Sequence, residues 1–302
     1  MKSSHSAGIW LAFFAAFGFS FKAILVKLAY ALPVAATGAV PVEAVTLLSL
    51  RMIFALPAFA WVGLRESRHS TSLTFREWAA VVVLGLLGYY GASIFDFLGL
   101  RLISAGLERL ILFTYPTLTV LLGAVFFGQR ISRREVAALA LCYMGIWAAF
   151  SHDLSVSADE ATVWLGAAFV FVSSLCYALY LVGGGQMIVR LGAARFTALA
   201  MLVSTAATFV HFFATQPFSA LVQPWQIYAL GFAMALFSTV LPVFALSMAI
   251  RSIGSSRAAL IGTVGPLLTI VFSWWLLGEA ISAAQLAGVA LVVAGVLIVS
   301  RR

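Results

Sequence analysis

Charge is what this sequence has least of. Only 9% of its 302 residues are Asp, Glu, Lys or Arg, against about 25% in a soluble domain. Hydrophobic residues make up 63%, and the mean hydropathy is +1.09. Such a chain cannot cover a water-facing surface, so a soluble fold is excluded and an integral membrane protein is expected. Acidic residues are scarcer than basic ones, leaving a net charge of +8. The basic residues lie in short gaps between apolar runs, with no basic face carrying interleaved aromatics, so nucleic acid is excluded as a partner. Cysteine is nearly absent: Cys142 and Cys176 each sit inside an apolar run and read as buried free thiols. There is no GxxxxGK[ST] nucleotide loop, no H-E-x-x-H, no G-x-S-x-G and no Cys/His cluster at metal-ligand spacing, and His5, His69, His152 and His211 are scattered. No catalytic residue, metal or cofactor is therefore expected, and the chain does not read as an enzyme.

What is present is a series of long apolar runs. Runs near 8–30, 43–64, 78–99, 106–127, 135–151, 163–185, 196–214, 226–249, 258–277 and 283–300 are each of a length suited to one membrane-spanning helix. The alternating short strands of a membrane barrel are absent. The first run is longer than a signal-peptide core and contains lysines, so a retained first helix is expected. With the N-terminus placed in the cytoplasm, the inward gaps hold Arg65, Arg68, Arg76, Arg130, Arg133, Arg134, Arg190, Arg195, Arg251, Arg257, Arg301 and Arg302, which with Lys2 are most of the 18 basic residues. The outward gaps hold only Arg101 and Arg109, and the loop "SHDLSVSADEAT" (151–162) is acidic. This asymmetry predicts both termini inside.

Shifting the sequence by 150 residues lays "GLRLISAGLERLILFTYPTLTVLLGAVFFGQRIS" over "AIRSIGSSRAALIGTVGPLLTIVFSWWLLGEAIS" without a gap. Arg101 meets Arg251, Pro116 meets Pro266, Thr119 meets Thr269 and Gly128 meets Gly278; further on, Gly145 meets Gly295. The expected fold is thus an all-α membrane protein of ten transmembrane helices in two five-helix repeats, 1–151 and 163–302, joined by a periplasmic linker at 152–162. Five is odd, so the second repeat is inverted. Inverted repeats are an architecture of secondary transporters, which rock between two packings around a midplane site.

The stretches "YPTLTVLLGAVFFGQRIS", "WLGAAFVFVSSLCYALYLV" (164–182) and "GPLLTIVFSWWLLGEAISAAQLAGVALVVAGVLIV" (265–299) carry a family resemblance. The chain resembles the ten-helix drug/metabolite transporter superfamily in its EamA branch, over essentially its whole length. Arg51 stands where members of that branch usually have an Arg in the second helix, whereas their usual Trp-Gly in the first helix is Phe17-Gly18 here. The resemblance implies export of metabolites or amino acids across the bacterial inner membrane without ATP hydrolysis.

Charges within the spans mark where such a protein works, because a charge at the bilayer centre costs roughly 2.5–3.5 kcal/mol on insertion scales and faces the bundle interior or a partner. Lys22, Lys27, Arg51, Asp96 and Glu108 are these residues. Counting 1.5 Å per residue puts Lys22 near the midplane and Lys27, Arg51 and Asp96 together in the outer half. That count predicts Lys22 as a substrate-facing group. It predicts Lys27, Arg51, Asp96 and Glu108 as a charge network for gating or proton coupling, with Asp96 pairing Lys27 or Arg51. Five residues rotate a helix by about 140° net, so the two lysines cannot serve one point. The second half has no Lys, Arg, Asp or Glu in the central parts of its runs.

Pro116 and Pro266 fall mid-run at equivalent positions, and broken helices at matching sites point to a transporter's binding region. Tyr89, Tyr90, Tyr177 and Tyr180 lie deep enough to line a cavity and bind substrate. The function expected is export of amino acids or related small metabolites by alternating access. A multidrug or cation exporter is the alternative transporter, and a membrane enzyme or scaffold the alternative from another class. The expected partners are the lipid bilayer and a small-molecule substrate, with a monomer left open as the assembly.

Overall fold

The computed structural model describes residues 2–32, 42–68, 70–128, 132–156, 159–253, 258, 261–262 and 264–300. Among the described residues the chain is helical, without strands. The helices are α1 (Lys2–Ala31), α2 (Ala44–Ser67), α3 (Phe75–Gly85), α4 (Ala92–Leu100), α5 (Ala105–Leu112), α6 (Tyr115–Phe127), α7 (Arg133–Val156), α8 (Glu160–Leu191), α9 (Ala193–Thr215), α10 (Trp225–Ala235), α11 (Leu241–Ile253), α12 (Gly265–Phe272) and α13 (Ala283–Ser300). By length and composition, eight stretches of the described chain suffice to cross a membrane, and Gly265–Leu277 and Ala283–Gly295 are shorter apolar helices. Arg130, Arg257, Arg301 and Arg302 lie outside the described residues, as does the 33–41 part of the first connection.

Local chemistry explains several boundaries. Asp159 caps α8 by accepting from the Ala161 and Thr162 amides at 3.1 and 3.4 Å, the usual work of an N-cap carboxylate. With no proline or glycine between 151 and 156, α7 runs on to Val156. Helix therefore covers 152–156 and, from the start of α8, 160–162 of the expected linker at 152–162. Thr74 and Glu77 form a capping box that starts α3. Gly128 and Gly278 end their helices at φ of 63° and 68°, a conformation open to glycine and strained for other residues.

Conformation recurs at the 150-residue spacing. Phe75–Gly85 and Trp225–Ala235 are both α-helices, each followed by a π-helical turn, Leu86–Gly91 and Leu236–Val240. Pro116 and Pro266 both stand in the first turn after a helix break.

The helices pack through a core built from α1, α2, α4, α9 and α10, with Leu47, Leu48, Met52 and Phe97 fully buried. α1 packs on α11 and α12; α8 packs on α4 and α6; α2 pairs with α9; α7 pairs with α13. Between α7 and α13, Gly145 and Gly288 face each other so closely that a Cβ on either would overlap the other's carbonyl oxygen. Such small-residue contacts are how membrane helices gain packing without a hydrophobic driving force.

Candidate functional site

Lys22 is the centre of the site. Four residues earlier, Gly18 lets α1 lie against the π turn and Pro242: a Cβ there would overlap the Phe237 carbonyl oxygen and the proline ring. One turn on, the Lys22 ammonium lies 2.7 Å from Asp96 of α4 and 3.9 Å from Glu108 of α5. The carboxylates are 1% and 0% exposed, so this is ion pairing in the bundle interior, where low dielectric strengthens attraction and makes an unpaired charge costly. Ser104 caps α5 through the Leu107 amide, and this sets Glu108 in the first helical turn, where the helix dipole favours a negative charge.

Two arginines flank the carboxylates. Arg51 donates to the Ser93 hydroxyl at 2.8 Å and lies over the Phe97 ring, 5.2 Å from its centroid. Arg109 lies over Phe113 at 5.1 Å and reaches the Phe19 carbonyl at 3.4 Å. Both are buried, and each arginine uses an aromatic face to hold its guanidinium out of water.

The expected partner of Asp96 was Lys27 or Arg51; it is Lys22. The depth count compared Cα positions on untilted helices, but a lysine side chain spans about one helical turn, ~5.4 Å. The π turn at Leu86–Gly91 also alters the rotation of every residue after it, Asp96 included. Lys27 points elsewhere and meets Glu279 at 3.9 Å, both side chains being 23% exposed.

Glu279 and Arg109 were not singled out from the sequence. Glu279 joins the first half of the chain to the second, accepting from the Ala105 amide at the start of α5 as well as facing Lys27. Its one sequence signal was its place in "LLGEAIS" within a repeat motif. Arg109 was counted as a residue of an outward gap, yet it stands inside α5.

The tyrosines separate into two groups. Tyr89 and Tyr180 share a hydrogen bond at 3.1 Å, and Tyr177 stacks on Tyr180 and meets Tyr115 edge-on, 5.0 Å between centroids. Gly88 makes room for the Tyr180 ring. Tyr90 is apart from them, bonded to His211 Nδ1 at 2.9 Å. The helix breaks lie beside α1 and α8. Ser174 donates to the Leu112 carbonyl at 3.1 Å, an acceptor left without its helical donor by Pro116. Ser20, two residues before Lys22, donates to the Gly265 carbonyl at 3.0 Å.

The model of the EamA-like transporter family matches residues 6–151 and again 164–301. The chain belongs to the EamA-like transporter family. This EamA-like transporter thus matches the model twice, once in each half. The Bacillus subtilis protein named "Uncharacterized transporter YcbK" is 29% identical over 276 residues, 89% of this chain and 85% of its own. A "Probable terminal-alkyne amino-acid exporter" of Streptantibioticus cattleyicolor is 28% identical over 229 residues, 73% of each chain. A solved crystal structure, 20% identical, shares the fold with a TM-score of 0.61 over 97% of this chain and 96% of its own. This EamA-like transporter is thus a multi-pass membrane protein in which Lys22, Asp96 and Glu108 meet in the bundle interior.

Proposed function

We propose that this EamA-like transporter is a secondary transporter that exports amino acids or related small metabolites across the bacterial inner membrane by alternating access. Its ten spans form two inverted five-helix halves with both termini in the cytoplasm. The observation that carries the reading is the Lys22–Asp96–Glu108 cluster: a buried ion pair with a second carboxylate, set between two broken helices. Two carboxylates facing one ammonium can exchange a proton or a charged solute without leaving an isolated charge in the interior.

The helix pairing supports two related halves. Advancing each helix by 150 residues turns α1 into α8, α2 into α9, α4 into α11, α6 into α12 and α7 into α13. Under that exchange the α1–α11 contact becomes α8–α4, the α1–α12 contact becomes α8–α6, and the α2–α9 and α7–α13 pairs map onto themselves. The pairing is unchanged, as a pseudo-two-fold axis requires. The relative named as an amino-acid exporter supports the substrate class. A cation exporter fits less well, because Lys22, Arg51 and Arg109 all flank the buried carboxylates.

The test is transport by the purified protein in liposomes loaded with labelled amino acids and small metabolites, with and without a proton gradient. Efflux of at least one such solute, dependent on the protein, is expected. Efflux of organic cations alone would favour the alternative exporter, and no movement under any gradient would remove the transport reading.

A further inference from the structure

We infer that Arg109 is the anchor for a carboxylate group of the transported solute, an inference that rests on the export reading above. Three cationic side chains, Lys22, Arg51 and Arg109, gather around two buried carboxylates, Asp96 and Glu108. Lys22 is held by Asp96 at 2.7 Å, and Arg51 by Ser93 and Phe97. Even with both carboxyls ionised, one positive charge is left over. A buried excess charge is costly unless a counter-ion meets it.

Arg51 and Arg109 each have an unpartnered Nε, but Arg51 makes the 2.8 Å bond to Ser93, whereas Arg109, 7% exposed, makes among the described residues only the 3.4 Å contact from Nη1 to the Phe19 carbonyl. Arg109 is thus the more weakly satisfied of the two. Among the described residues no Asp or Glu oxygen lies within 4.0 Å of it. A guanidinium carries five N–H donors in a fork that matches a carboxylate in two-point geometry, and most of these are unused here. The surroundings hold the group in place without neutralising it. Phe113 lies under its face, and Gly265, at the α12 break, provides the space beside Nη2, which a Cβ would approach to 2.8 Å. Tyr115 meets the Phe113 ring edge-on, 5.9 Å between centroids, and Tyr177 meets Tyr115 in turn, so an aromatic wall continues from the ring under Arg109. A solute carboxylate entering here satisfies the unused donors and the leftover charge together. A solute lacking that carboxylate leaves both unmet.

The experiment compares wild-type protein with Arg109→Gln and Arg109→Lys in liposomes, using labelled L-amino acids with their carboxamides as unlabelled competitors. In the wild type, the acid of a transported pair should compete better than its carboxamide by at least about tenfold, since a site built around a polar group rejects the analogue lacking it. Arg109→Gln should raise the KM of the acid by at least about tenfold and reduce the acid-to-amide preference to within about twofold. Arg109→Lys, which keeps the charge but not the fork, should keep part of the preference. Unchanged KM and preference in Arg109→Gln would overturn the anchor while leaving the export reading intact. Should Arg109→Gln not fold, the wild type alone decides: equal competition by acid and carboxamide overturns the anchor. Wild-type liposomes that move no amino acid and no metabolite overturn the export reading, and the anchor with it.

Discussion

Lys22 and Lys27 stand on one helix, five residues apart, in different physical settings. Lys22 meets carboxylates that are almost wholly buried, at 2.7 and 3.9 Å. Lys27 meets a single partly exposed carboxylate at 3.9 Å. The first pair holds charges that have no alternative partner in water. The second can be replaced by solvent at small cost. One residue type on one helix thus stands in an interior ion pair and in a partly exposed ion pair between the two halves of the chain, because a turn of the helix decides which neighbours it meets.

The comparison can be broken most sharply at Asp96. Asp96→Ala deprives Lys22 of its closest partner and should lower stability by about 3 kcal/mol, the scale for breaking a buried pair. Thermal unfolding in detergent measures it, and the Lys22→Ala/Asp96→Ala double variant should recover part of the loss. A loss below about 1 kcal/mol would class the pair with surface ion pairs. Next, at equal expression, Lys22→Ala should reduce transport by about tenfold, worth about 1.4 kcal/mol, with Lys27→Ala well short of that. The reverse order would assign the central role to Lys27. A subtler probe is Asp96→Asn, which keeps shape and removes the titratable group facing Lys22, Arg51 and Glu108; the pH profile of transport should change. An unaltered profile would leave Asp96 a purely structural partner. The smallest expected effect is that of Glu279→Gln: a stability loss of about 1 kcal/mol or less, read by the same unfolding assay. A loss as large as that of Asp96→Ala would erase the distinction between the two lysines.

Much of the fold is legible in the order of the residues. The apolar runs fall on helices, the 150-residue spacing reappears in matched α- and π-helical turns, and the proline positions coincide with breaks at Leu112–Tyr115 and before Gly265. These are local properties: hydropathy, the missing amide of proline and the tolerance of glycine for positive φ all act within a few residues. The separation of the two lysines was legible too, since helical rotation follows from spacing. Tyr90 was not separable from Tyr89 in this way, because the π turn that holds both departs from the 3.6-residue period.

By itself, the sequence determined that this chain is a multi-helix membrane protein of the EamA-like transporter family, with a small set of charges that the bilayer would not tolerate unpaired. The tertiary structure alone decided who pairs with whom: Asp96 with Lys22 rather than Lys27, Lys27 with Glu279 from the other half, and Arg109, among the described residues, with no carboxylate within 4.0 Å. The physical reason is that the energetic need for a partner is set by burial, which hydropathy encodes along the chain. The identity of the partner depends on packing angle, helical register after a π turn and the reach of a side chain, which only the assembled bundle fixes.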